Sequence, residues 1–75
     1  KTTKKAQFPW GNVDIALHID EAESIITDVQ IASDCLEPET IRQAEQLLQG
    51  CSTKTAPAFN EGNEILRDII NLIYD

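Results

Sequence analysis

The sequence predicts an α+β fold, a small three-stranded antiparallel sheet covered on one face by two or three helices. Three observations carry this reading. Val13 to Ile19 alternates apolar and polar residues, the period of two that marks a half-buried strand. Ile25 to Ala32 is a second strand-like run after a short polar break. Near the end, Leu66, Ile69, Ile70 and Ile73 recur at i, i+3, i+4 and i+7, the stripe of an amphipathic helix. A sheet with one apolar face needs a cover, and helices supply it.

The elements follow in order. Lys1 to Lys5 reads as a linker or the start of a strand, and about Lys4 to Phe8 pairs alongside as the third strand. Phe8-Pro9-Trp10-Gly11-Asn12 punctuates the chain as a turn. In the next strand Val13, Ile15, Leu17 and Ile19 share one side, and Asp14, Ala16 and His18 take the other. Asp20 to Ser24 is polar enough for a hairpin loop. In the following strand Ile25, Thr27, Val29 and Ile31 are expected on the core face, with Ile26, Asp28 and Gln30 opposite.

Pro38 suits the first helical position, where its missing N–H costs nothing, and makes Glu37 the N-cap. Leu36 and Ile41 have the spacing of a hydrophobic staple, and Glu39 favours the positive end of the helix. Ile41, Ala44, Leu47 and Leu48 form the apolar stripe, and Gly50 stops the helix. Ser52 to Pro57 is a connector. The last helix begins around Phe59 or Asn63 and runs to Tyr74, with Ile65 and Leu72 widening its stripe.

Seventy-five residues make one small domain, residues 1–75, with a limited core. Its 41% hydrophobic content is too high for a disordered tail. No apolar run approaches the ~20 residues of a membrane span. The chain opens on Lys1 without a signal-peptide pattern and reads as a piece of a longer protein, its last domain being one candidate. The net charge is −7, with Lys1, Lys4 and Lys5 at the start. From Asn12 onward thirteen acids face three bases, Arg42, Lys54 and Arg67. That body lacks the basic surface that nucleic acid or an anionic membrane demands. A protein partner, or another domain of the same protein, fits better.

Constellations that would carry chemistry are sparse. The three glycines are scattered, so no phosphate-cradling loop exists. Two cysteines and one histidine do not make a zinc site. His18 reads as a solvated residue on the polar strand face. Cys35 precedes a helix N-terminus, where a thiolate is favoured, yet a small packed thiol is the plainer role. Cys51 reads the same way. A helix of about twelve residues separates the two thiols, too far for a disulfide, so reduced thiols in the cytoplasm are expected. Trp10 is either a ligand-stacking ring or a plug at a core end or domain interface. Asp34-Cys35-Leu36 parallels the Asp-Ser-Leu of acyl carriers, but a thiol replaces the acceptor serine and such carriers are all-helical.

Trp10-Gly11-Asn12-Val13, the strand pair, Asp34 and Leu36 before a Pro-initiated helix, and Leu48 to Cys51 closing it form one ordered pattern from about Phe8 to Cys51. This pattern resembles the C-terminal accessory domain of lipoate–protein ligases. Ser24 departs from it, standing in a hairpin loop where that family often has glycine. The resemblance implies a fold similar to the iron–sulfur scaffolds typified by SufE and NifU. It implies an enzyme that activates lipoate with ATP to lipoyl-adenylate, then transfers the lipoyl group to an acceptor lysine. ATP, Mg and lipoate would bind in a large N-terminal catalytic domain, and no cofactor or catalytic residue is carried over here. The implied partners are that catalytic domain and lipoyl acceptor domains, the E2 subunits of 2-oxoacid dehydrogenases and the glycine cleavage H protein. Trp10, Asp14, His18, Asp28 and Gln30 are the expected domain interface. The competing reading is a sulfur-relay or iron–sulfur scaffold module that uses Cys35 or Cys51.

Overall fold

The computed structural model describes residues 2–74. Lys1, grouped above with the opening segment, lies outside them. Three strands, β1 (Thr2–Phe8), β2 (Gly11–Asp20) and β3 (Ile25–Ser33), are followed by helices α1 (Pro38–Leu48) and α2 (Glu64–Tyr74). The sheet is antiparallel in the order β1-β2-β3. Both helices contact the same side of it, α1 against β3 and α2 against β1, and they touch each other. The α+β architecture expected from the sequence is therefore present, with two helices in the cover.

The first strand is longer than its pattern suggests. It begins at Thr2, and Phe8 pairs with Gly11, leaving a two-residue loop of Pro9 and Trp10. Gly11 has φ of +150°, and a Cβ there would lie 2.8 Å from Asp34 Oδ1 and 3.2 Å from the Cys35 backbone. Only a residue without a side chain fits that approach. The Asn12 N–H donates to Asp34 Oδ1 at 2.8 Å, so the close approach ties the start of β2 to the end of β3.

The core lies between one sheet face and the helices. Val13, Ile15 and Leu17 from β2 meet Ile41, Ala44 and Leu48 from α1 and Ile65, Leu66, Ile69 and Ile70 from α2. In β3 the expected face is wrong at one end. Ile26 is fully buried, while Thr27 is exposed and Ile25 half-buried. The cause is a β-bulge. His18 pairs with Asp28 and Ile19 with Ile26, so Thr27 is an extra residue. Its hydroxyl donates to the His18 carbonyl at 3.1 Å, and the one-residue slip turns Ile26 inward.

The same residue anchors the chain that leaves α1. Ile26 N–H donates to the Cys51 carbonyl at 2.8 Å, and Gly50 N–H donates to the Ile26 carbonyl at 2.7 Å. Thr53 N–H reaches the Ser24 carbonyl, and Ser52 bridges to Ile25. Farther along β3, Ile31 N–H donates to the Glu45 carboxylate at 2.8 Å. The outer edge of β3 is thus covered by a return of the chain and by one helix side chain.

Helix α1 starts at Pro38 as expected, with Glu37 as an N-cap that makes no side-chain cap bond. The staple from Leu36 to Ile41 is absent, because Leu36 is 96% exposed while Ile41 is buried. Asp34, two residues earlier, is instead tethered to Asn12. Of the two expected starts for α2, Asn63 is realised. Its side chain accepts the Leu66 N–H at 3.1 Å, a conventional N-cap, and Phe59 lies outside the helix. Two polar contacts hold α2. Trp10 Nε1 donates to Asp68 Oδ2 at 2.8 Å, and the Tyr74 hydroxyl donates to the Ser52 carbonyl at 2.7 Å. Burial, and then the neighbouring Cys51, push the Tyr74 phenol above its ordinary 10.0.

Three outcomes are expected. Gly11→Ala must adopt a strained φ and displace the Asp34 region, costing about 2 kcal/mol or more in urea unfolding. Ser24 holds φ of +55°, the left-handed region, in the loop where glycine was the expected residue. Ser24→Gly is expected to raise the urea midpoint, by up to about 1 kcal/mol of stability. A raised phenol pKa means the folded state holds the Tyr74 proton more tightly, so stability falls as pH rises above the ordinary 10.0. Tyr74→Phe is expected to lose about 1 kcal/mol at neutral pH and to flatten that alkaline fall, read by denaturation at a series of pH values.

Candidate functional site

The second face of the sheet is not covered by a helix, and its side chains are short or polar. Antiparallel pairing builds it in rows. Lys5, Asp14 and Ala32 align across the three strands, then Thr3, Ala16 and Gln30, then His18 with Asp28. Partners in one row share a face, so the pairing brings Asp14, His18, Asp28 and Gln30 together as expected. Asp14, His18 and Gln30 are exposed and Asp28 is half-buried.

The alanines shape the surface. Ala16 and Ala32 leave low ground between the longer side chains of Lys5, Asp14 and Gln30. One open trough of about 580 Å³ runs past Thr3, Ala16, Gln30 and Glu45. A second, of about 700 Å³, runs past Gln7, Asn12, Ser33 and Asp34. Lys5 Nζ stands 3.9 Å from Asp14 Oδ2, a solvated pair of little energetic weight. The face offers carboxylates, an amide, an imidazole and one ammonium to a partner surface. Among the described residues it pairs no nucleophile with a general base.

Trp10 is placed elsewhere. It lies at the β1–β2 loop on the helical side, with its ring stacked on Phe8 at 5.0 Å between centroids and its indole N–H held by Asp68. The structure therefore groups four of the five expected interface residues and sets Trp10 apart, as a plug between the first hairpin and the last helix.

The thiols are both free and half-buried. The Cys51 thiol points at the Leu47 carbonyl at 2.9 Å, and the Cys35 sulfur at the Glu37 carbonyl at 3.6 Å. They stand at the two ends of α1, as the sequence spacing implies. Among the described residues no group of three or more His, Cys, Asp or Glu side chains is placed to hold a metal ion. No helix among them is long and apolar enough to cross a membrane.

Three residues of this surface escape sequence reasoning. Asp34 looks like part of a helix start, yet its partner is Asn12, twenty-two positions away. Glu45 looks like a solvated helix residue, yet it caps the edge of β3. Leu36 looks like a staple and is exposed instead. The advance signal was that Gly11-Asn12 and Asp34, though far apart in the chain, belong to one ordered pattern.

Comparison with known families completes the description. A family model described as bacterial lipoate protein ligase C-terminus matches residues 1–72. The match spans all three strands, α1 and nearly all of α2, and the chain belongs to the family of bacterial lipoate protein ligase C-terminal domains.

Proposed function

We propose that this chain is the accessory, lid-like domain of a lipoate–protein ligase. In that role it supports ATP-dependent activation of lipoate to lipoyl-adenylate and transfer of the lipoyl group to an acceptor lysine. The observation that carries this reading is the family match across residues 1–72. ATP, Mg and lipoate belong to the N-terminal catalytic domain.

The chemistry of an acyl-adenylate explains why such a domain is useful. The intermediate is a mixed anhydride, and water competes with the acceptor lysine for its carbonyl. A domain that seats over the site excludes water and completes the surface around the intermediate. The open sheet face with Asp14, His18, Asp28 and Gln30 is the docking side in this reading, and Trp10 stiffens the hairpin at its rim. Acceptors are the E2 subunits and the glycine cleavage H protein, and the compartment is the cytoplasm. The free thiols accord with a reducing compartment. The acidic body accords with a protein partner rather than nucleic acid.

The test is lipoate-dependent ATP–pyrophosphate exchange by the matching catalytic domain, with and without this chain. The chain alone is expected to be inert, and its addition is expected to restore exchange or subsequent transfer to an acceptor domain. A preparation in which neither step responds to the added chain contradicts the reading.

A further inference from the structure

Leu36 is a large hydrophobic side chain left in water, with 96% of its surface exposed. Its backbone is held on both sides. Asp34 is bonded to Asn12 N–H, Cys35 N–H donates to the Ser33 hydroxyl at 3.1 Å, and the Glu37 carbonyl accepts from Thr40 N–H at 3.1 Å. Pro38 then starts α1. A leucine in a slack loop can fold back onto its own domain. This one stands on a braced segment, which lowers the ordering cost of inserting it elsewhere. Around it, Asp34, Glu37 and Glu39 are all exposed; Glu39 is paired with Arg42, so Asp34 and Glu37 carry the uncompensated negative charge. The segment adjoins the trough at Asn12 and Asp34, so it continues the open sheet face.

We propose that Leu36 is the apolar anchor that seats this domain on the catalytic part of its own ligase, in an apolar socket with a basic rim. The inference rests on the lid reading above and adds the contact that holds the lid. Two arguments select this occupant. The family places the chain at the C-terminus of a ligase, so the partner is on the same polypeptide. Tethering raises its effective concentration enough for one small anchor to suffice, whereas a separate partner needs a large interface. Charge argues against a second copy. Two copies meeting at Leu36 bring Asp34 and Glu37 toward their own counterparts, with a net charge of −7 on each chain. The same acidic rim favours a basic surround. A single braced anchor also suits a contact that must form and release within one catalytic cycle.

The experiment uses the full-length ligase with the photo-crosslinking residue p-benzoylphenylalanine in place of Leu36, and at exposed Gln49 as the control position. An intramolecular crosslink to the catalytic part from position 36 and not from 49 is expected, located by mass spectrometry. Crosslinks to a second copy or to an acceptor domain, or no difference between the two positions, overturn the proposal. In parallel, Leu36→Asp is expected to lower kcat/KM for activation or transfer about tenfold, the effect of ~1.4 kcal/mol of lost docking. Leu36→Met is expected to retain activity. Thermal unfolding of this domain is expected to be unchanged in Leu36→Asp, and a fall would assign Leu36 to the domain's own stability instead. If Leu36→Asp is fully active while deletion of the whole domain abolishes activity, the anchor is wrong and the lid reading stands. If the deletion is itself without effect, the lid reading falls and takes the anchor with it.

Discussion

The two hydrogen bonds between Ile26 and the Gly50–Cys51 segment set the course of the second half of the chain. They fix where α1 must end, because Gly50, at φ of +85°, has to arrive beside β3 with its N–H facing the Ile26 carbonyl. They fill part of the free edge of β3, where unpaired peptide groups invite another strand. They also hold the backbone of the bulge that turns the Ile26 side chain into the core. The connector to α2 starts from this clamp, and Tyr74 at the end of α2 returns to it through the Ser52 carbonyl. Sheet edge, helix stop and final helix thus share one short segment.

What could be read in the sequence was what local periodicity encodes. The alternation from Val13 to Ile19 needs only neighbours two residues apart; on its core face Val13, Ile15 and Leu17 are buried and Ile19 is half-buried. The α2 stripe needs only i+3 and i+4 spacing: Leu66, Ile69 and Ile70 are buried, with Ile65 joining them, and Leu72 and Ile73 are half-buried against the core. Pro38 and Gly50 mark the limits of α1 through backbone restrictions that each residue carries with it. The rest depends on distant partners. The bulge at Thr27 depends on how β2 meets β3, so the period of two in β3 broke without a warning in its own residues. Leu36 has the spacing of a staple, yet it is exposed, and the loop before it is tied to Asn12 through Asp34. Trp10 gave no sign of its partner, since Asp68 is fifty-eight positions away.

The candidate site divides along the same line. Strand pairing forces Asp14, His18, Asp28 and Gln30 onto one face, so their grouping was legible from alternation alone. The bulge does not disturb it, because the slip falls beyond His18 and Asp28. The troughs were not legible, since they come from two alanines on adjacent strands, offset by one row. The family match implies a catalytic domain as partner for the chain, and in the proposed role this polar face is the side that meets it.

The bond from Trp10 to Asp68 has a use beyond stability. Trp10 is the single tryptophan of the chain, and its indole joins the first hairpin to the last helix. Its environment therefore changes when α2 lifts from the sheet. Intrinsic fluorescence excited in the indole band reports one event, the closing of the helical cover over the strands, with no added label. Far-ultraviolet dichroism reports the helices whether or not they are docked. The two signals recorded together separate formation of α2 from its attachment, so the order of those events in folding can be timed on the unmodified chain.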